Sequence, residues 1–316
     1  MQRPEFPCRR PRPPPVILFI GEVIICENYH FLVPFAKTNL SLVSPPPERS
    51  VADWLDTLPA QGRAAFSLAQ LQAAFPKHSP DALRLALARL ARQHQVISVH
   101  HGYYLLIPPP YRAKGIVPAT LFLDGLMRHL GRPYYVGLLN AAALHGASHQ
   151  QPQETFVVTT FPVMRPTAKR GLRIQYLSKE TLPPDALLEN RKVETGYLRV
   201  SSPALTAADL VQYQHRIGGL DRAATVLAEL GEILPLDAFT PPLLHAVPAA
   251  VWQRLGYLLE VVLDQPAPAE ALFTACAQAE MLFHRVALAP ADPTVGHPVT
   301  SRWRIVPNIS VEPDDL

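Results

Sequence analysis

Apolar residues recur at helical spacing immediately after residue 50. Val51, Trp54, Leu55 and Leu58 stand at positions i, i+3, i+4 and i+7, which is the spacing of an amphipathic helix that buries one face. Ser67 precedes a second apolar stripe and could cap a helix there, because its hydroxyl can accept a hydrogen bond from a free backbone N–H of the first turn. The pattern therefore predicts two short helices before residue 76.

A third helix is predicted from about Pro80 to Gln93. Ser79 would cap it, and Pro80 would occupy the first helical position, where an N–H has no partner within the helix. Its apolar residues fall on one face, and steps of about 100° per residue place the opposite face in solvent. That exposed face carries Asp81, Arg84, Ala88 and Arg92.

Two β-rich runs, Val96–Val99 and Tyr103–Ile107, flank a turn that contains Gly102. Such a pair of runs around a glycine turn is typical of a β-hairpin. Three short helices followed by a hairpin predict a winged helix-turn-helix over residues 51–107.

A helix of this width fits the major groove of B-DNA, and its N-terminal end meets the base edges. The predicted DNA contacts are Lys77, Ser79, Asp81, Arg84, Arg92, His100 and His101. Arg84 could pair with a guanine edge, whereas Lys77 and Arg92 would reach phosphates. The alternative is a winged helix used for protein contacts, since residues 51–107 carry only five Lys and Arg against three Asp and Glu.

A run of three prolines after residue 107 is expected to form a stiff boundary. Beyond it, the pattern predicts a mixed α/β domain over residues 111–285, which makes the whole chain α+β. Helices are expected at Leu121–Leu130 and Tyr134–His145, and the segment from Pro203 to residue 285 is helical again. Strands are expected at Thr155–Thr160, Leu172–Leu177, Lys192–Thr195 and Tyr197–Val200.

Both ends of the chain differ from the rest. Ten of the 35 prolines fall in residues 1–50, where the apolar run Val16–Cys26 is interrupted by Glu22. That run is too short for a transmembrane helix and does not suit a signal peptide. We expect residues 1–50 to be a disordered extension, or the product of a misassigned start with translation beginning near Val51. The alternative is a short genuine tail. Residues 286–316 are rich in proline and are expected to be loosely ordered.

Charge is distributed unevenly between the two halves. Residues 1–180 contain 20 Lys and Arg against 10 Asp and Glu, whereas residues 181–316 contain 9 against 16. A basic front half favours an anionic partner such as nucleic acid, although a chance drift of surface charge would look the same. The three cysteines lie far apart, which excludes a disulfide scaffold and fits the reducing cytoplasm.

A basic cluster lies on the connection into the second predicted strand. Its members are Arg165, Lys169, Arg170 and Arg173. The cluster could contact phosphates or RNA, but a solvated loop would have the same composition, and the residues alone slightly favour the loop.

The sequence contains none of the phosphate-binding, dinucleotide-binding or zinc-protease motifs. His145 and His149 have the spacing of two metal ligands on one helical face, but a capping or packing role is favoured because no carboxylate follows closely. Ser201, Ser202 and Asp209 could suggest a nucleophile with a partner, yet helix capping explains both serines. We therefore predict no catalytic residue, cofactor or metal.

Several segments together resemble the AbiEi family of antitoxins from type IV toxin–antitoxin systems. They are Tyr134–Ala147, His149–Gln153, Gly196–Pro203, Thr206–Leu210 and Gly218–Leu230. With the winged helix in the family's N-terminal position, the resemblance covers roughly residues 51–285. The long first segment is fairly specific, whereas a winged helix by itself is common.

The resemblance implies a cytoplasmic, non-enzymatic protein of phage defence with two functions. Its winged helix would bind inverted repeats in operator DNA and repress its own operon. Its C-terminal domain would counteract a nucleotidyltransferase-like toxin, without requiring a stable complex and without any membrane partner. The alternative is a stand-alone winged-helix regulator whose C-terminal domain senses a ligand or oligomerises.

Overall fold

The computed structural model describes residues 18–20, 23–25, 50–108, 111, 117–147, 152–169, 171–299 and 301–313. The chain forms two compact units, Met1–Glu48 and Arg49–Leu316. In the first unit, Leu18–Ile20 (β1) and Val23–Ile25 (β2) pair antiparallel, which the sequence analysis did not predict. The expectations for residues 1–50 otherwise lie outside the described residues.

Three helices follow residue 50, and each begins directly after a serine. They are α1 (Val51–Thr57), α2 (Leu68–Ala74) and α3 (Pro80–Arg92). The hydroxyl oxygens of Ser50, Ser67 and Ser79 each accept a hydrogen bond from a backbone N–H of the following turn. The predicted caps at Ser67 and Ser79 are therefore confirmed. Residues 50–108 are called the front module below.

Three short strands complete the front module in the order β3-β5-β4, with both pairings antiparallel. They are β3 (Ala65–Ser67), β4 (Val96–His100) and β5 (Tyr103–Leu106). The β4–β5 turn is closed by Gly102 at φ +70°, a left-handed conformation that glycine adopts without steric cost. The carbonyl of Gly102 accepts a 2.8 Å hydrogen bond from the N–H of Leu68, so the tip of this short hairpin lies against the start of α2.

Residues 117–313, called the rear domain below, contain a six-stranded mixed sheet with the strand order β10-β11-β6-β7-β9-β8. Its strands are β6 (Tyr134–Val136), β7 (Thr155–Thr160), β8 (Thr167–Lys169), β9 (Leu172–Lys179), β10 (Leu188–Val193) and β11 (Gly196–Ser201).

The prediction of one helix over Tyr134–His145 was wrong at its start, where residues 134–136 form a strand. β6 pairs with β7 and β11, and these long-range pairings override the local helical pattern.

Helices cover this sheet and form most of the remainder of the rear domain. They are α4 (Leu123–His129), α5 (Leu138–Leu144), α6 (Pro203–Gln212), α7 (Gln214–Ile217), α8 (Leu220–Glu232), α9 (Pro241–Ala246), α10 (Ala249–Tyr257) and α11 (Pro266–Gln278). A π-helical turn, Leu258–Val262, extends α10. The hydroxyl of Ser202 accepts a hydrogen bond from the N–H of Leu205, as its predicted capping role requires.

The front module and the rear domain share a hydrophobic core. Along β4 and β5, Val96 and Leu106 pack with the helices of the front module. Ile97 and Leu105, which point to the opposite face of the strands, pack with the rear domain. Because this small sheet is buried on both faces, residues from Arg49 to Leu316 form one compact unit across the predicted proline boundary.

The structure contradicts the expectation of a loosely ordered C-terminal tail. Val286–Ala287 (β12) pairs in parallel with Ile305–Val306 (β13). Trp303 is fully buried and packs against the rings of Phe273 and Phe283. The proline content pointed to disorder, but the tail folds because a few apolar side chains find partners far away in the chain.

Candidate nucleic-acid interface and buried polar clusters

The N-terminal end of α3 carries a charged pair on an exposed surface. Arg84 Nη1 lies 2.9 Å from Asp81 Oδ1, and the two side chains are 59% and 91% exposed. Such an exposed pair contributes little free energy, on the order of 1 kcal/mol or less. Arg84 is therefore held by Asp81 but can be released to another acceptor.

All seven residues that were predicted to contact DNA are exposed: Lys77, Ser79, Asp81, Arg84, Arg92, His100 and His101. The hydroxyl of Ser79 is engaged in capping α3. Arg89 was not among the predicted contacts, but it is also exposed and lies one helical turn before Arg92. Their i, i+3 spacing is the signal that could have identified Arg89.

The structure connects one member of the predicted basic cluster to the front module. Lys169 lies in the edge strand β8 rather than in a loop, and its Nζ donates a 2.8 Å hydrogen bond to the carbonyl of Ser98 in β4. Arg165 is exposed, and Arg173 is 59% exposed with its Nη1 at 3.7 Å from a carboxylate oxygen of Glu154. Arg170 lies outside the described residues. Lys169 thus adjoins the strand that leads to His100 and His101, two regions that were predicted separately from the sequence.

A buried polar cluster lies where β6, β9 and α6 meet. Asp209 is fully buried, and its two carboxylate oxygens accept hydrogen bonds from the Tyr135 hydroxyl at 2.8 Å and from Lys179 Nζ at 3.1 Å. Lys179 Nζ also lies 5.8 Å and 5.6 Å from the ring centroids of Tyr135 and Tyr213. Asp209 stands out in the sequence, but its partners do not, since they are 30 and 74 residues away.

Burial governs the titration of this cluster. It raises the pKa of Asp209 above its ordinary value, and the Lys179 ammonium opposes this shift. Burial and the neighbouring carboxylate of Asp209 raise the pKa of Tyr135 well above 10.0. A carboxylate that is paired with both a lysine and a tyrosine satisfies its hydrogen bonds, which is the arrangement a buried charge requires.

His145 ends helix α5 and uses both of its ring nitrogens. Nε2 lies 2.7 Å from the carbonyl of Ser201, and Nδ1 lies 2.7 Å from Nη2 of Arg191. These contacts fit a neutral imidazole that donates from Nε2 and accepts at Nδ1. Burial lowers the pKa of His145, and the positive charge of Arg191 acts in the same direction.

This engagement favours the packing role of His145 over metal binding. Its candidate partner His149 lies outside the described residues. Across the described segments, no three His, Cys, Asp or Glu side chains are grouped so that they could bind one metal ion.

Residues 135–261 match the family model of the AbiEi antitoxin C-terminal domain. The chain carries an AbiEi antitoxin domain. The resemblance seen in the sequence is therefore confirmed for this segment. The matched segment contains the polar cluster around Asp209. It also contains His145 and its partners Arg191 and Ser201.

A solved structure supports the fold over most of the chain. The crystal structure of the RV2827C protein from Mycobacterium tuberculosis aligns with a TM-score of 0.57 and 16% sequence identity, covering 80% of this chain and 89% of that chain. At this identity the similarity concerns the fold alone. No curated protein matches the sequence significantly. Within the described residues, every helix is too short or too polar to cross a lipid bilayer.

Proposed function

We propose that this protein is the antitoxin of a type IV toxin–antitoxin system and that it represses its own operon. The observation that carries the proposal is the AbiEi domain, joined through a shared core to a module of three helices and a hairpin. We take this front module to be a winged helix-turn-helix that binds double-stranded operator DNA at inverted repeats. An exposed basic face on α3 supports this interpretation.

In this proposal α3 enters the major groove with its N-terminal end toward the bases. Arg84 reads a guanine, because its planar guanidinium can donate two parallel hydrogen bonds to the guanine edge. Asp81 keeps Arg84 oriented before DNA arrives. Lys77 and Arg92 bind phosphates, and His100 and His101 contact the backbone from the hairpin tip.

The basic cluster on the rear domain extends this surface. Lys169 is tied to β4 through the carbonyl of Ser98, and the exposed Arg165 and Arg173 belong to the same part of the rear domain. We propose that these side chains contact phosphates next to those reached by the hairpin. The contribution of the front module alone, with its small net positive charge, would otherwise be weak.

The rear domain, in this proposal, counteracts a nucleotidyltransferase-like toxin in the cytoplasm and thereby serves in phage defence. No enzymatic step is proposed for it. The buried Asp209 and the partly buried Lys179 neutralise each other beside the rings of Tyr135 and Tyr213, which fits a structural role.

The DNA-binding proposal is tested by a mobility shift of the full chain on the DNA upstream of its own reading frame, with a scrambled competitor and a salt series. Arg84→Ala should weaken operator binding by about 1–3 kcal/mol and relax specificity at one base. Arg92→Ala should weaken binding to all sequences and lower the slope of log affinity against log salt by about 1. Unchanged operator affinity in Arg84→Ala would contradict the placement of α3.

Two further variants sharpen this test. Asp81→Ala should strengthen binding to scrambled DNA and reduce discrimination, because it removes a negative charge near the phosphates and releases Arg84. Arg222→Ala is the control, since this half-buried arginine lies on α8 in the rear domain and should leave binding unchanged.

The antitoxin proposal is tested by growth rescue. The full chain would be co-expressed with a nucleotidyltransferase toxin from the same operon, and it should restore growth. Arg84→Ala should rescue as well as the original protein, because the two functions are assigned to different parts of the chain. Failure of the original protein to rescue would contradict the antitoxin role and leave the DNA-binding result standing.

A further inference from the structure

A cleft separates the front module from the rear domain over part of their boundary. It consists of two adjoining cavities with volumes of about 480 Å³ and 410 Å³. Both cavities are lined by Gly62, Arg63 and Ala64 of the front module and by Leu121 and Thr195 of the rear domain. Each is within the usual size range of small-molecule sites, roughly 300–1,000 Å³, and such sites often lie between domains.

The two cavities differ in chemistry. The larger one is lined by three basic residues, Arg63, Arg128 and His129, together with Tyr103 and one acidic residue, Asp124. The smaller one has apolar walls, which are formed by Leu55, Pro59, Leu106, Ile107 and Leu121. It also contains two acidic residues, Asp56 and Glu194. The cleft is therefore amphipathic, with basic groups in one cavity and apolar walls in the other.

Arg63 stands at the junction of the two cavities. A turn places it there: Gly62 adopts φ +69°, and the N–H of Arg63 donates a 3.0 Å hydrogen bond to the carbonyl of Leu58. The residue as a whole is half-buried, and its guanidinium donates an exposed hydrogen bond of 2.9 Å to Oε1 of Gln70. Within the described part of the chain, Arg63 forms no ion pair, whereas Arg128 is paired with Asp124.

We propose that this cleft binds a small amphipathic carboxylate. Arg63 holds the carboxylate, because its guanidinium, whose hydrogen-bond partner among the described residues is a neutral amide, gains a charge-assisted hydrogen bond. The apolar part of the ligand lies in the smaller cavity against Pro59 and Leu121, and it covers the apolar surface that Pro59 exposes there. Asp56 and Glu194 set the orientation, since they repel the carboxylate from the smaller cavity.

A ligand bound at this site would allow the protein to respond to a small molecule. Its walls belong to both the front module and the rear domain, so a bound ligand stabilises one arrangement of the two. If the front module binds DNA, the bound ligand should also change the affinity for the operator. This change in operator affinity rests on the proposed function, whereas binding of the carboxylate does not depend on it.

The proposal is tested by titration calorimetry of the full chain with octanoate, octan-1-ol and octylamine as probes. Octanoate should bind with a Kd of about 1 mM or tighter, which is ordinary for a ligand of this size. The neutral and cationic probes should bind at least about tenfold more weakly, because they cannot pair with Arg63.

Arg63→Gln should weaken octanoate binding at least about tenfold and remove the preference over octan-1-ol. Arg222→Gln is the matched control, since Arg222 is also half-buried but lies outside the cleft, and it should bind octanoate as the original protein does. Far-ultraviolet circular dichroism would show that both variants are folded. To separate polar from apolar recognition, Leu121→Gln should weaken octanoate and octan-1-ol alike.

Several results would overturn the proposal: no heat of binding with octanoate, equal binding of octanoate and octylamine, or unchanged octanoate binding in Arg63→Gln. A mobility shift with and without octanoate is then a separate experiment. If octanoate binds but operator affinity does not change, the site stands and its coupling to DNA is wrong. If the protein does not bind the operator at all, the proposed function fails and calorimetry still decides the site.

Discussion

The front module and the rear domain differ in where their charged side chains lie: exposed in the first, and partly buried in the core in the second. In the front module the charged residues of α3 are exposed, and its serines cap helices at the surface. In the rear domain Asp209 is fully buried and meets Lys179 and Tyr135 inside the core. Exposed charges can bind a partner molecule, whereas buried charges are already paired with groups inside the protein.

This difference shows that a buried polar group with a shifted pKa is not by itself a functional site. A raised pKa at Asp209 would mark a catalytic candidate if the group faced a substrate. Here its hydrogen bonds are satisfied by neighbours within the protein. The front module, by contrast, is too small to bury such a cluster and obtains part of its own core from the rear domain.

The largest effect is expected from the anchor of the C-terminal tail. Trp303→Ala should lower the free energy of unfolding by about 3–5 kcal/mol, because it removes a fully buried aromatic ring and leaves a cavity. Urea denaturation would measure this change. Val295→Ala is the control from the same tail, and its side chain is 91% exposed, so its stability should not change. A small effect of Trp303→Ala would mean that the tail does not belong to the core.

The buried pair should give the next largest effect. Lys179→Met leaves the carboxylate of Asp209 buried beside an apolar side chain and should cost about 3 kcal/mol of stability. The double variant Lys179→Met with Asp209→Leu should recover most of that loss, because it removes both charges. Lys192→Met, at an exposed position, serves as the control. If the double variant is no more stable than Lys179→Met, the pairing is not the cause.

A smaller effect is expected at the start of α3. Ser79→Ala should cost about 1 kcal/mol of stability, because it removes the hydroxyl that accepts from the N–H of Ala82. Ser79→Asp should retain stability, since a carboxylate also caps a helix and interacts well with its positive end. Thermal or urea unfolding of the two variants would check this. Unchanged stability in Ser79→Ala would show that the cap contributes nothing.

The smallest effect concerns pH and His145. Its folded-state pKa lies below the ordinary value of 6.5, so the folded state favours the neutral ring. Its contribution to stability is therefore complete above pH 6.5 and is lost as the pH falls through the folded-state pKa. In urea unfolding between pH 8 and pH 5, the advantage of the original protein over His145→Gln should shrink as the pH falls.

Local features of the fold could be predicted from the sequence. The caps at Ser67, Ser79 and Ser202 and the exposed face of α3 depend only on residues within a few positions of each other. The same holds for most of the helices and for the strand Thr155–Thr160. Helical periodicity and capping chemistry act along the chain, so they can be recognised there.

Some candidate site features could be predicted only in part. The exposure of Arg84 followed from periodicity, but its pairing with Asp81 required the side-chain positions. The basic cluster was evident in the sequence as a group of residues, yet its attachment to β4 through Lys169 and Ser98 joins positions 71 residues apart. Nothing in the local pattern distinguishes that arrangement from a solvated loop.

By itself, the sequence determined the helices of the front module, the charged face of α3 and the resemblance to an AbiEi antitoxin. Only the tertiary structure decided that Tyr134–Val136 is a strand, that Trp303 anchors the tail and that Lys179 pairs with Asp209. It also formed the cleft around Arg63. The physical reason is that capping and periodicity arise between near neighbours, whereas sheet pairing, ring packing and buried ion pairs are chosen by whichever distant groups the fold brings together.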